Sequence, residues 1–110
     1  MIVLFKKLNQ MGFFNAINCI GGINKKIKEL ETNLHSLEFN MNTRNWGIAR
    51  VCWEMVRMDA NDIMKYLEKS SSAASAMYTI LGQKFQGRNI IGFIYEVLRI
   101  SDEEIKKNGK

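Results

Sequence analysis

The chain has 110 residues, of which 46% are hydrophobic and 25% charged, with a formal net charge of +5 and no proline. This length suits one domain, and no apolar run approaches the roughly 20 residues that cross a bilayer. The two cysteines form no paired motif, and the apolar start precedes its lysines, unlike a secretory signal. We therefore expect a cytoplasmic protein without a membrane span.

The first elements in chain order are predicted to be helices. Residues 1–22 read as an N-terminal helical extension that Gly21-Gly22 ends. Ile23, Ile27, Leu30, Leu34 and Leu37 then recur at helical steps, which predicts a helix with one apolar face. The main domain is expected over residues 23–107, followed by a short tail at 108–110.

Two helices are predicted between Asn45 and Ser70. The first begins near Trp46 and turns Ala49 inward. Asp59 then reads as the N-cap of a second helix, because its carboxylate can accept the backbone N–H groups of a first turn. Ile63 and Leu67 would form the inner face of that helix.

The remaining elements are also predicted to be helices. Residues 70–83 contain no charged side chain, so this helix either lies shielded by neighbours or docks on a partner. Gly87 suits a helix end, Asn89 suits the start of the next helix, and Ser101 to Glu104 form a capping box for a last one. No sustained alternation indicates a sheet. The predicted core comprises Trp46, Ala49, Ile63, Leu67, Ile80, Leu81, Ile91, Ile94 and Leu98.

Together, these segments resemble the death domain, an antiparallel six-helix bundle. Asn45-Trp46 with Ile48-Ala49 resembles the opening of that family's second helix, and DANDIMKYL at 59–67 resembles its third. Residues 72–85 are similar to the fourth helix, NIIGFIYEVL at 89–98 to the fifth, and SDEEI at 101–105 to the sixth. A related death-fold subfamily or an unrelated bundle fits the same pattern.

The resemblance implies function by assembly. A death domain acts as an adaptor or scaffold in intracellular signalling, in innate immunity or apoptosis, by binding another death-fold domain or a second copy of itself. It has no active site. By that pattern, the partner-binding candidates here are Arg50, Arg57, Asp59, Asp62, Lys65, Glu68 and Lys69, with Lys84 and Arg88 as a basic rim.

Two other functional classes find less support in the residues. A small basic helical nucleic-acid-binding protein is the runner-up, because the isoelectric point is near 9.4, but Lys and Arg are not clustered on one element. Catalysis is disfavoured, since His35 is the only histidine and no glycine loop or cysteine–histidine cluster has a ligand spacing. We expect no cofactor, no metal and no small-molecule substrate.

Overall fold

The computed structural model of the chain describes residues 12–80 and 82–109. The fold is mostly helical, as predicted, and it also contains a small two-stranded sheet. The elements are α1 (Phe13–Asn18), α2 (Asn24–Asn42), α3 (Trp46–Lys69), α4 (Ser71–Ser75), β1 (Met77–Ile80), β2 (Gln83–Gln86) and α5 (Gly87–Asn108).

Helix α3 lies between the two other long helices and packs antiparallel to both. Asn33 of α2 meets Asp59, and Asn40 meets Cys52, so residue numbers rise along α2 as they fall along α3. On the other side, Trp53 of α3 donates a hydrogen bond to the carbonyl of Leu98 in α5 at 2.7 Å. The core forms where the three helices converge.

Six of the nine predicted core residues are buried there: Ala49, Ile63, Leu67, Ile91, Ile94 and Leu98. Trp46 is only half-buried, and it packs against the edge of this core. The remaining two positions, the Ile80 side chain and Leu81, lie outside the described part of the structure. The expected stripe of α2 is confirmed, since Ile27, Leu30, Leu34 and Leu37 are buried while Ile23 is half-buried.

The predicted helix boundary at Asp59 is wrong, because α3 continues through it to Lys69. Its buried residues, Ala49, Cys52, Val56, Ala60, Ile63 and Leu67, follow at steps of three or four without interruption. The Asp59 carboxylate, predicted to cap backbone N–H groups, instead accepts a hydrogen bond from Asn33 in the neighbouring helix. The predicted start at Trp46 is confirmed.

The predicted boundaries at Asn89 and Ser101 are wrong as well, because a single helix runs from Gly87 to Asn108. Ser101 occupies a fully buried position in the middle of the apolar face, between Leu98 and Ile105. Gly87 begins this helix and does not end one. A Cβ atom there would lie 2.5 Å from the Ala73 carbonyl oxygen, so glycine allows α4 to approach α5.

The helix predicted over residues 72–85 is replaced by the one-turn helix α4 and an antiparallel hairpin. Ser70 caps α4 by accepting a bond from Ala73 N–H, as the serine run suggested. Tyr78 and Phe85 are cross-strand partners, and both are half-buried. Gly82, at φ +77°, supplies the backbone conformation that the turn requires. The predicted six-helix arrangement is therefore not the one observed.

The described part of the N-terminal extension belongs to the same core. Phe13, Ile17 and Ile20 are almost completely buried, and α1 contacts α2, β1 and α5. Residues 1–11, also predicted to be helical, lie outside the described residues. The boundary expected at residue 22 is thus a turn within one packed unit.

Candidate protein-binding surface

Helix α3 carries a second apolar face that points to solvent. Ile48, Val51, Met55 and Met58 are spaced at steps of three, four and three, and they are 56%, 58%, 46% and 58% exposed. We call these four residues the exposed stripe. Single exposed apolar residues are common on protein surfaces, but a contiguous row of large ones marks an interaction site.

The exposed stripe is separate from the face of α3 that packs in the core. At 100° per residue, it lies about a third of a turn from the row of buried residues. Neither neighbouring helix covers it, because α2 packs on the side of α3 that carries Asp59 and α5 packs on the side that carries Trp53. The sequence reasoning missed this surface by assigning the apolar residues of α3 to one inward face, although the 48-51-55-58 spacing was visible.

Part of the exposed stripe lines an open groove of about 860 Å³ between α2 and α3. Met55 and Met58 contribute the apolar part of the lining from α3. Helix α2 contributes Lys25 and Lys28, which are exposed, together with Thr32. The α2 side also includes Glu29, which pairs with Lys26. The groove therefore combines flexible, polarisable thioether side chains, which adapt to varied partners, with an α2 side on which lysines outnumber carboxylates.

A polar network along the α2–α3 contact forms the base of this groove. Asp59 is only 5% exposed, and Asn33 Nδ2 donates to its Oδ2 at 2.7 Å. Lys26 Nζ lies 2.9 Å from Glu29, 3.3 Å from Asp62 and 3.6 Å from Asp59. Desolvation raises the pKa of Asp59 despite these partners, while the hydrogen bonds to Glu29 and Asp62 raise the pKa of Lys26.

Besides Asp62, which lies near Lys26, three of the predicted contact residues interact with other residues of the same chain. Asp59 is buried, so its prediction as a surface contact is wrong. Arg50 pairs with Asp102 of α5 at 2.9 Å and lies over the Trp53 ring at 4.9 Å. Arg57 pairs with Glu54 at 2.8 Å. Arg50 thus connects α3 to α5 on a side away from the exposed stripe.

The other predicted contact residues divide between two places. Asp62 and Lys65 continue the spacing of the exposed stripe along α3 and are exposed, as are Glu68 and Lys69 near its end. Lys84 lies on β2 and Arg88 in the first turn of α5, so both are remote in sequence from that helix. Arg88 borders a smaller groove with Phe85, Phe93 and Glu96. The structure does not combine all of them into one surface.

Within residues 12–80 and 82–109, no cluster of three His, Cys, Asp or Glu side chains could hold a metal ion. Over the same residues, no helix is both long and apolar enough to span a bilayer. Among the described residues, the exposed stripe is the row of large exposed apolar side chains that follows one helix face.

Comparison with models of protein families, with curated proteins and with solved structures gives no match for this chain.

Proposed function

We propose that this protein is an interaction module that binds other proteins through the exposed stripe of α3. The observation that carries the proposal is the row Ile48, Val51, Met55 and Met58, each of which is close to half exposed or more. Burying a large apolar side chain contributes about 1.5–3 kcal/mol. Four half-exposed side chains therefore offer a substantial part of the free energy that a specific complex needs.

The ion pairs of the basic residues favour this function over nucleic-acid binding. Arg50, Arg57, Arg99 and Lys106 all lie within ion-pair distance of carboxylates on the same molecule. A phosphate backbone would have to compete with those carboxylates for each of these four cations. A protein partner that binds the exposed stripe does not have to displace any of these ion pairs.

Homotypic assembly of the death-domain type, in cytoplasmic signalling, is a narrower form of the proposal. Its support is the sequence resemblance, above all the helix that begins at Trp46. The two long helices α3 and α5 stand where that family would have four, which lessens this support. The wider proposal needs no membership of that family, because it depends only on the exposed stripe.

A photo-crosslinking amino acid placed at Val51 tests the proposal in extracts of the cells that make the protein. We expect a discrete protein adduct that disappears when Met55 and Met58 are both replaced by serine. The matched control carries the same amino acid at Lys107, an exposed position on the last turn of α5, and should give no such adduct. Sedimentation velocity of the purified protein measures self-association in parallel.

Two results together would overturn the proposal. These are a strictly monomeric protein at all concentrations and an identical set of adducts from positions 51 and 107. Such a pattern would mean that the exposed stripe has no partner beyond chance encounters. Charge reversal at Asp62 and Lys65 should also alter binding, because both extend the same face of α3.

A further inference from the structure

We infer that the groove between α2 and α3 accepts an amphipathic helix with acidic flanks, supplied by a partner protein. This inference rests on the proposed function and names the chemistry of the partner. Three observations carry it: the spacing of the exposed stripe, the shape of the groove, and the nearby lysines that form no ion pair with any of the described residues.

The spacing of the exposed stripe favours a helical occupant. Steps of three, four and three repeat every seven residues, which is the pattern by which one helix packs along another. From Ile48 to Met58 the stripe spans about 15 Å of helix axis. The groove itself lies between two antiparallel helices, and a third helix fits such a depression by placing its own ridge of side chains there.

The charges around the groove favour acidic residues on that helix. Lys25 and Lys28 lie in the groove lining, and Lys65 lies two turns beyond Met58 on α3. Among the described residues, none of these three lysines has a carboxylate within 4 Å, whereas Lys26 is engaged by Glu29, Asp59 and Asp62. Acidic side chains on the rim of the occupant would complement the three unpaired cations.

A second copy of this chain complements the groove less well. The carboxylates that flank the exposed stripe, Glu54 and Asp62, already pair with Arg57 and Lys26. A second copy would thus bring apolar side chains but no unengaged carboxylate from its own stripe. Each copy also carries a formal net charge of +5, which opposes close approach. An acidic partner supplies unengaged carboxylates, and its negative charge is attracted by the net positive charge of this chain.

Two designed peptides test the inference against the full-length protein. Each has about three heptads with leucine at the first and fourth positions, and one carries glutamate at the flanking positions where the other carries lysine. Like charges at these positions keep each peptide from pairing with itself. Fluorescence anisotropy at about 50 mM and about 300 mM salt then measures binding.

We expect the glutamate peptide to bind about tenfold more tightly than the lysine peptide, with an affinity that falls as salt rises. The variant K25E/K28E should lose about tenfold in affinity for it. The matched control K84E/K107E has the same net charge, but its substitutions lie on β2 and the end of α5, so it should bind almost as the parent does. Met58→Lys adds a cation yet should weaken binding, because the thioether contact is lost.

Three outcomes would overturn the inference. The first is that both peptides bind equally well or that neither binds. The second is that K25E/K28E and K84E/K107E lose the same affinity for the glutamate peptide. The third is a dimer in sedimentation that Val51→Asp abolishes, since a second copy would then be the occupant. That third result would leave the proposed function intact, whereas failure of the crosslinking experiment would remove both. Circular dichroism melts verify that each variant, changed only at exposed positions, stays folded.

Discussion

At the scale of single residues, two polar side chains lie within the apolar faces of the long helices, and their surroundings differ. Ser101 is fully buried, and its hydroxyl has no hydrogen-bond partner among the described residues. Asp59 is nearly as buried, but it accepts a bond from Asn33 and lies near Lys26. A buried hydroxyl without a hydrogen bond lowers the stability of the fold. A buried carboxylate that accepts a hydrogen bond regains part of the free energy lost when its water is removed.

Replacing Ser101 with alanine should stabilise the fold. The substitution removes a desolvated hydroxyl without leaving an orphaned partner, and alanine also favours the helix, so we expect a gain of about 1 kcal/mol in the free energy of unfolding. Urea denaturation measures it. Ser72→Ala, at an exposed position in α4, is the control and should change stability by less than about 0.5 kcal/mol. A loss of stability in Ser101→Ala would contradict the expectation.

The pH dependence of stability should differ in sign between Asp59 and Asp102. Desolvation raises the pKa of Asp59, so the folded state holds that proton more tightly than the unfolded chain does. Its contribution therefore falls as pH rises from the ordinary aspartate pKa toward the raised one. The hydrogen bonds from Lys106 and Arg50 lower the pKa of Asp102, whose contribution is lost as pH falls.

The unfolding free energies of Asp59→Asn and Asp102→Asn test this difference when each is compared with the parent from the lowered pKa of Asp102 up to the raised pKa of Asp59. With rising pH, Asp59→Asn should gain stability relative to the parent, because the parent must then ionise a buried carboxyl. Asp102→Asn should lose stability relative to the parent at lower pH, as pH rises from the lowered pKa of Asp102 to the ordinary aspartate pKa. Parallel curves for the two variants would show that the two carboxyls have equivalent surroundings.

At the scale of elements, the two long helices are held by continuous apolar faces that override local capping signals. Asp59 and the run Ser101 to Glu104 have the composition of helix starts. The apolar row of each helix nevertheless passes through them, from Ala49 to Leu67 in α3 and from Ile90 to Ile105 in α5. Burial along a neighbouring helix is worth more than a cap, which contributes about 1 kcal/mol.

Proline at Glu103 distinguishes a continuous α5 from two helices. The Glu103 side chain is 67% exposed, so the substitution mainly tests the backbone. In a continuous helix, proline removes one hydrogen bond and clashes with the preceding turn, and we expect a loss of about 3 kcal/mol relative to Glu103→Ala. If a new helix began after Ser101, its first-turn N–H groups would be unbonded, and the two variants would differ little in urea denaturation.

The hairpin shows why the sequence pattern of residues 72–85 was misread. Met77, Ile80, Leu81 and Phe85 fit helical steps, yet Tyr78 and Phe85 face each other across two strands. Phe85 also packs edge-on against Phe93 of α5, with ring centroids 5.4 Å apart. A short apolar run fits either period, so the contact with α5 and the turn at Gly82 decide between them.

At the scale of the whole molecule, α3 is the helix against which the two other long helices pack, one on each of two sides. Arg50, Trp53 and Asn61 of α3 meet Asp102, Leu98 and Tyr95 of α5. The opposite side of α3 meets α2 through Asp59, which leaves a third side uncovered. The exposed stripe occupies that side, so its exposure results from the packing of only two helices, α2 and α5, against α3.

Trp53 should contribute more to stability than Trp46, although both are half-buried residues of α3. The Trp53 indole donates to the Leu98 carbonyl and lies beneath Arg50. Among the described residues, no atom accepts a hydrogen bond from the Trp46 indole N–H. Replacement by phenylalanine should therefore cost about 1 kcal/mol more at Trp53 than at Trp46 in urea denaturation. A greater cost at Trp46 would indicate that the α3–α5 contact depends on apolar packing alone.

The sequence by itself determined what depends on neighbouring residues along the chain: the predominance of helix, the buried stripe of α2, the start of α3 at Trp46 and the Ser70 cap. These depend on periodicity and local hydrogen bonds, which a linear pattern contains. Only the tertiary structure decided that pairs of predicted helices merge, that residues 77–86 form a hairpin, and that Asp59 is buried while Met55 and Met58 are exposed. Such outcomes depend on which element packs against which, and that information comes from contacts between residues far apart in sequence.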